Sequence, residues 1–155
     1  MDTNRVFVAS CHEKGLAVAD VDALQYLRTL RDRSLGAVTG FHIIEHLPLD
    51  TLIKLFDETV RVLKPGGLAI FETPNPQNVL VACHNFYIDP THIKPLPGLT
   101  VQFILEARGL CDVRILPLHP YPDSHKVQVD GTELTERFND YFYGPQDYAV
   151  IGRRV

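Results

Sequence analysis

The sequence predicts an α/β fold. Three observations carry the prediction. Helix-like and strand-like patterns alternate along the chain instead of falling into blocks, which is the order of a largely parallel sheet covered by helices. The strand-like segments are short apolar runs with little alternation, as in strands buried on both faces. Glycine and proline stand where those patterns stop, at Gly15, at Pro65-Gly66-Gly67 and at Gly109, where helix ends and tight turns need them.

The elements follow in order. Asn4 to Lys14 mixes apolar and polar residues at helical spacing, and Gly15 supplies a stop. Leu16 to Asp20 is a short apolar run ending in acid and reads as a strand. Asp22 can cap a helix from Ala23 to Leu30, with Leu24, Leu27 and Leu30 on one face. A polar turn, Arg31 to Ser34, leads into LGAVTGFHII (35–44), a buried strand. Leu49 to Leu63 is the clearest helix, since Leu52, Leu55, Phe56, Thr59, Val60 and Leu63 form one stripe. LAIF (68–71) is the next strand. Thr100 to Arg108 is a helix, Val113 to Leu116 a strand, and YAVIG (148–152) a last short strand. Residues 73–98 and 117–146 remain as two long loops, and long loops within a domain are often functional.

Composition narrows the class. With 155 residues, 45% apolar and 22% charged, the chain reads as one globular domain with enough apolar material for a core. A net charge of −4 argues against a nucleic-acid partner. No apolar run is long enough to span a membrane, and the first residues do not read as a signal peptide. Cys11, Cys83 and Cys111 form no motif, which fits a reducing cytoplasm. In an α/β sheet the ligand lies beyond the carboxyl ends of the strands. Those ends are here Asp20–Asp22, His42–His46 and Glu72–Asn75.

Four segments then resemble a known family: DVDAL (20–24), GFHIIEHLP (40–48), RVLKPGGLAIFETPNP (61–76) and FYIDPTHIKPLP (86–97). Together they resemble class I S-adenosylmethionine (SAM)-dependent methyltransferases. The ETPNP and YxDPTH elements are similar to bacterial members associated with polysaccharide and O-antigen assembly. The resemblance implies a Rossmann-like sheet, mostly parallel, with helices on both faces and strand order 3-2-1-4-5-7-6. It also implies an N-terminally truncated, partial domain over 1–155: the chain has no GxG, and the first two strands, with the glycine-rich loop, would be missing. The strands at 16–20 and 35–44 would then pair directly or join a homodimer through exposed edges.

The same resemblance implies roles for single residues. Asp2 would take the ribose hydroxyls. Asp22 and Ala23 would contact adenine, although Asp22 is equally a helix cap. Phe41 and His42 would border the methionine end of the cofactor. Glu45 and His46 are candidate acid–base groups, with His92 a second base, against the plainer reading of a structural Glu–His pair. Asn75 and Asn78 would shape the acceptor pocket, unless they only order a proline turn. Tyr87 would stack on a sugar or hold a phosphate oxygen, and Lys94 would meet a phosphate. The reaction implied is methyl transfer to an oxygen of a saccharide hydroxyl or phosphate, with SAM as cofactor. The rival is a methyltransferase-like remnant or interaction module that does not bind SAM. His42-Ile-Ile-Glu45-His46 also matches the zinc-peptidase pattern HxxEH, but a strand precedes it and Pro48 follows, so no metal is expected.

Overall fold

A computed structural model describes residues 1 and 4–155. Asn4 and Asp22 each cap a helix: α1 (Arg5–Glu13), where the Asn4 side chain accepts from the Val6 N–H, and α2 (Ala23–Thr29), where Asp22 accepts from the Gln25 N–H. The apolar stripe of 49–63 becomes α3 (Leu49–Val62), which buries Leu52, Leu55, Phe56, Thr59 and Val62. Its Phe56 ring meets Phe71 at a centroid distance of 5.0 Å and forms the middle of the core. Arg61 ties α3 to its neighbour by donating to the Leu27 and Leu30 carbonyls at the end of α2.

The sheet has four strands: β1 (Leu35–Phe41), β2 (Leu63–Pro74), β3 (Leu110–Pro120) and β4 (Pro145–Arg154). Their order is β1-β2-β4-β3. The β1–β2 pair is parallel, and β4 is antiparallel to both β2 and β3. This corrects the expectation of a mostly parallel sheet. Three strands do run the same way, but β4 returns between β2 and β3, so only one neighbouring pair is parallel. The return needs no crossover, because antiparallel neighbours can be joined at one end.

Two further expectations change. Residues 16–20 form no strand; they are an extended connection with a single bridge at Asp20. Direct pairing of 16–20 with β1 as a ladder is therefore not present among the described residues. β1 is also not buried on both faces: it lies at the sheet edge, with Gly36, Ala37, Thr39 and Phe41 exposed. Gly40 is the exception, because a Cβ there would come within 2.9 Å of the Phe71 ring.

The long segments carry more structure than expected. Residues 73–98 contain α4 (Val79–Cys83) and a 3-10 turn, Asn85–Ile88. Next comes α5 (Gly98–Ala107), which packs on β3 and β4. Residues 117–146 contain the end of β3, a 3-10 turn and α6 (Glu133–Tyr143), capped by Thr132. No helix among the described residues is long and apolar enough to cross a membrane.

This topology brings four chain segments to one place. The carboxyl ends of β1, β2 and β3 and the amino end of β4 meet there, because β4 alone runs the other way.

Candidate functional site

Glu45 sits at the centre of that meeting point. It lies in a 3-10 turn (Ile44–His46) just beyond β1 and is 1% exposed. A buried carboxylate needs partners. Thr73 Oγ1 in β2 donates to its Oε2 at 2.9 Å, and His42 Nδ1 donates to its Oε1 at 3.2 Å. Burial alone would push this carboxyl up, but the bonds from His42, from the backbone and from Thr73 together hold it below its ordinary value. The hydrogen bond to Glu45 raises His42 most, burial opposes it, and the charges of Glu45, Asp147 and Glu72 add to the rise.

Two more imidazoles stand beside Glu45. The His92 Nε2 is 3.9 Å from Glu45 Oε1, and the His46 and His92 rings lie 4.6 Å apart. Their tautomers are set by their neighbours. His92 Nδ1 bonds the Phe86 carbonyl, which can only accept. Thr91 Oγ1 gives its one hydrogen to Asp89 Oδ1 at 2.6 Å, so at 2.9 Å it must accept from His46 Nδ1. Both neutral rings therefore keep their lone pair on Nε2.

A second group lies alongside. His42 Nε2 is 3.5 Å from Glu72 Oε1 and 4.0 Å from Asp147 Oδ1. His119, at the end of β3, bonds Asp147 Oδ2 through Nδ1 at 2.9 Å. Asp147 and Pro74 also line a cavity of about 130 Å³ with Val81, Asn85, Phe86 and Gln146.

The predicted site residues separate into groups. Glu45, His46 and His92 come together from segments far apart in sequence, and His42 joins them. Phe41 is 57% exposed at the end of edge strand β1. Asp22 caps α2, and Ala23 begins it. Tyr87 and Lys94 are exposed. Asp2 lies outside the described residues. Asn75 and Asn78 follow the end of β2. Both are buried, and their amides donate to the Pro145 and Gly144 carbonyls. Asn75 also accepts from Gln77, and Asn78 caps α4, so both side chains hold the loop to β4. The HxxEH run is not helical across its length, as the peptidase reading requires; it straddles a strand end and a 3-10 turn. Even so, two sets of groups suited to a metal ion lie here among the described residues, although none was expected: Glu45–His46–His92 and His42–Glu72–Asp147.

Sequence reasoning missed Asp147 and His119. No local motif marks either one. Only the reversal of β4, which pairs Asp147 with both Pro74 and Leu118, brings them in.

The sheet is mixed, of order β1-β2-β4-β3, with its polar groups gathered at the strand ends. A family profile described as a methyltransferase domain matches residues 1–71. A crystal structure of a SAM-dependent methyltransferase from Archaeoglobus fulgidus is 33% identical, with a TM-score of 0.91 over 99% of this chain and 74% of that one. The chain belongs to the class I SAM-dependent methyltransferases, whose cofactor is S-adenosyl-L-methionine. A SAM-dependent methyltransferase from Thermotoga maritima, 12% identical, shares the fold with a TM-score of 0.72 over 99% of this chain and 71% of that one. So does the N-methyltransferase NodS from Bradyrhizobium japonicum, solved with S-adenosyl-L-homocysteine: it is 16% identical, with a TM-score of 0.60 over 99% of this chain and 64% of that one. No curated protein matches the chain.

Two of the residues expected to meet the cofactor are open to solvent. Asp22 offers an exposed carboxylate at the start of α2, suited to an exocyclic amine, and Phe41 offers an exposed aromatic face at the end of β1.

Proposed function

We propose that this chain transfers a methyl group from SAM to the oxygen of a neutral hydroxyl, such as that of a saccharide. The observation that carries this reading is the pair His46 and His92, each hydrogen-bonded through Nδ1, beside the buried Glu45. A neutral imidazole is the group that takes a proton from a hydroxyl as it attacks. The bound cofactor would supply an electrophilic methyl on a sulfonium. This chain's part is to hold it with Asp22, Ala23, Phe41 and His42, align the acceptor and accept the proton. Glu45 Oε1 lies 3.9 Å from His92 Nε2, and a carboxylate there suits a hydroxyl better than an anionic phosphate. Tyr87, in the segment that carries His92, presents an exposed ring for a sugar face.

The test has two stages. Calorimetric titration with SAM and S-adenosylhomocysteine should show saturable binding. Labelled methyl transfer to a panel of free sugars should follow, and a phosphorylated sugar should be the poorer acceptor. A second reading is a methyltransferase-like interaction module that does not bind SAM. No binding at millimolar ligand would select that reading.

A further inference from the structure

We propose that His42, Glu72 and Asp147 form a binding site for a divalent cation of the Mn²⁺ class. Each offers one ligand atom, and the three atoms lie within 4.8 Å of one another. The three residues come from different segments: the turn after β1, the end of β2 and the start of β4. Positions fixed by a sheet in this way hold ligands better than positions along one loop.

The hydrogen bonds around the group decide which atoms face it. His42 Nδ1 donates to Glu45 Oε1, which can only accept, so the neutral ring carries its lone pair on Nε2. That is the atom 3.5 Å from Glu72 Oε1 and 4.0 Å from Asp147 Oδ1. A histidine that binds a metal commonly has its other N–H held by a carboxylate, and that carboxylate is itself hydrogen-bonded. Glu45 meets both conditions, since Thr73 donates to its second oxygen. On the other side, His119 bonds Asp147 Oδ2 at 2.9 Å and leaves Oδ1 to the site. Asp147 thus has an outer partner, and one oxygen each of Glu72 and Asp147 faces the imidazole.

The size and access are suitable. Ligands at about 2.0–2.2 Å from a metal stand roughly 3 Å from one another. Closing from 3.5 and 4.0 Å therefore takes small side-chain rotations. The side chains of Glu72 and Asp147 are 14% and 18% exposed and that of His42 is 47%, so an ion can reach them and keep open positions for oxygen ligands. One imidazole and two carboxylates favour Mn²⁺, Fe²⁺ or Co²⁺ over the thiolate-seeking metals.

The inference rests on strand-end geometry; it shares His42 with the proposed cofactor contacts, but Mn²⁺ binding is read without SAM, so either can fail alone. The experiment titrates Mn²⁺ into the metal-free chain and follows the loss of the free-ion signal by electron paramagnetic resonance. One bound ion per chain is expected. Asp147→Asn and Glu72→Gln should each weaken binding by about tenfold or more. His125→Ala, a change at an exposed histidine outside the group, should leave binding unaltered. Both carboxylate variants are near-isosteric and partly exposed, and thermal melts would verify that they fold; His42→Gln replaces either one that does not. Two results would overturn the assignment. One is no bound Mn²⁺ at millimolar concentration. The other is binding that survives both carboxylate changes but is lost in His92→Ala, which would put the ion on the neighbouring cluster.

Discussion

Thr73 and Thr59 are both fully buried, and they make opposite predictions. The Thr73 hydroxyl donates to the Glu45 carboxylate at 2.9 Å. Thr59 Oγ1 has no hydrogen-bond partner among the described residues. Valine is nearly isosteric with threonine, so Thr→Val removes the hydroxyl with little change of volume. At Thr73 the change deletes a hydrogen bond to a charged group, a loss of about 1.5–3 kcal/mol. For a chain of this size that lowers Tm by roughly 3–12 °C. At Thr59 the same change removes a buried hydroxyl that gains nothing from its surroundings, so stability should hold or rise by up to about 1 kcal/mol. Helix propensity does not confound the comparison, because Thr and Val rank alike. Urea unfolding of the two variants beside the parent measures both effects in one assay. Thr73→Ser, which keeps the hydroxyl, should recover part of the loss. Equal midpoints for Thr73→Val and Thr59→Val would refute the reasoning, since burial without the Glu45 bond would then explain both positions.

Other predictions concern turnover, pH and assembly. With an acceptor in hand, His92→Ala and His46→Ala should each slow methyl transfer by about 10²-fold if that imidazole takes the proton; unchanged rates in both would remove histidine base catalysis. Asp130 is held at about 2, below its ordinary 3.8, by bonds from the Thr132 and Thr135 hydroxyls at the start of α6. Its contribution is therefore present above 3.8 and lost as pH falls through about 2. A carbon-detected NMR titration of the Asp130 carboxyl should show that low midpoint, and a midpoint near 3.8 would contradict it. Among the described residues β1 is an edge strand, and such an edge can pair with a second copy. Light scattering should find a dimer that Thr39→Pro disrupts, and a monomer at every concentration would exclude pairing through this edge.

Periodicity made the helices legible wherever a stripe faced the core. The 49–63 pattern and α3 agree within a residue, and the five residues buried on α3 come from that stripe, apart from Val62 at its end. Local capping chemistry placed α2 behind Asp22. The helix α6 was not legible, because Leu134 and Tyr141 are exposed and its apolar residues serve each other, as in the Phe138–Phe142 stack, more than the core. Strand centres were found, but their ends were not. β2, β3 and β4 extend through prolines and charged residues that read as loop. In the site, Glu45, His46 and His92 could be read because they lie in motifs. Asp147 and His119 could not, because their partners are set by sheet register, a property of pairing that no single stretch of sequence carries.

The segment that carries His92 is fastened at two points just after it. The Ile93 N–H bonds the Glu45 carbonyl, and the buried Tyr148 hydroxyl donates to the Leu96 carbonyl at 2.7 Å. Burial, with the Glu45 charge second, pushes the Tyr148 phenol far above its ordinary range, so this tie stays a neutral donor at any working pH. Ordering a loop of this length upon binding would cost on the order of 1 kcal/mol or more for each residue fixed. Here that entropy is lost once, when the chain folds, and not again at each encounter with an acceptor. An acceptor therefore meets a surface of set shape. Such a surface favours ligands that match it at the outset over ligands that would need it to adapt.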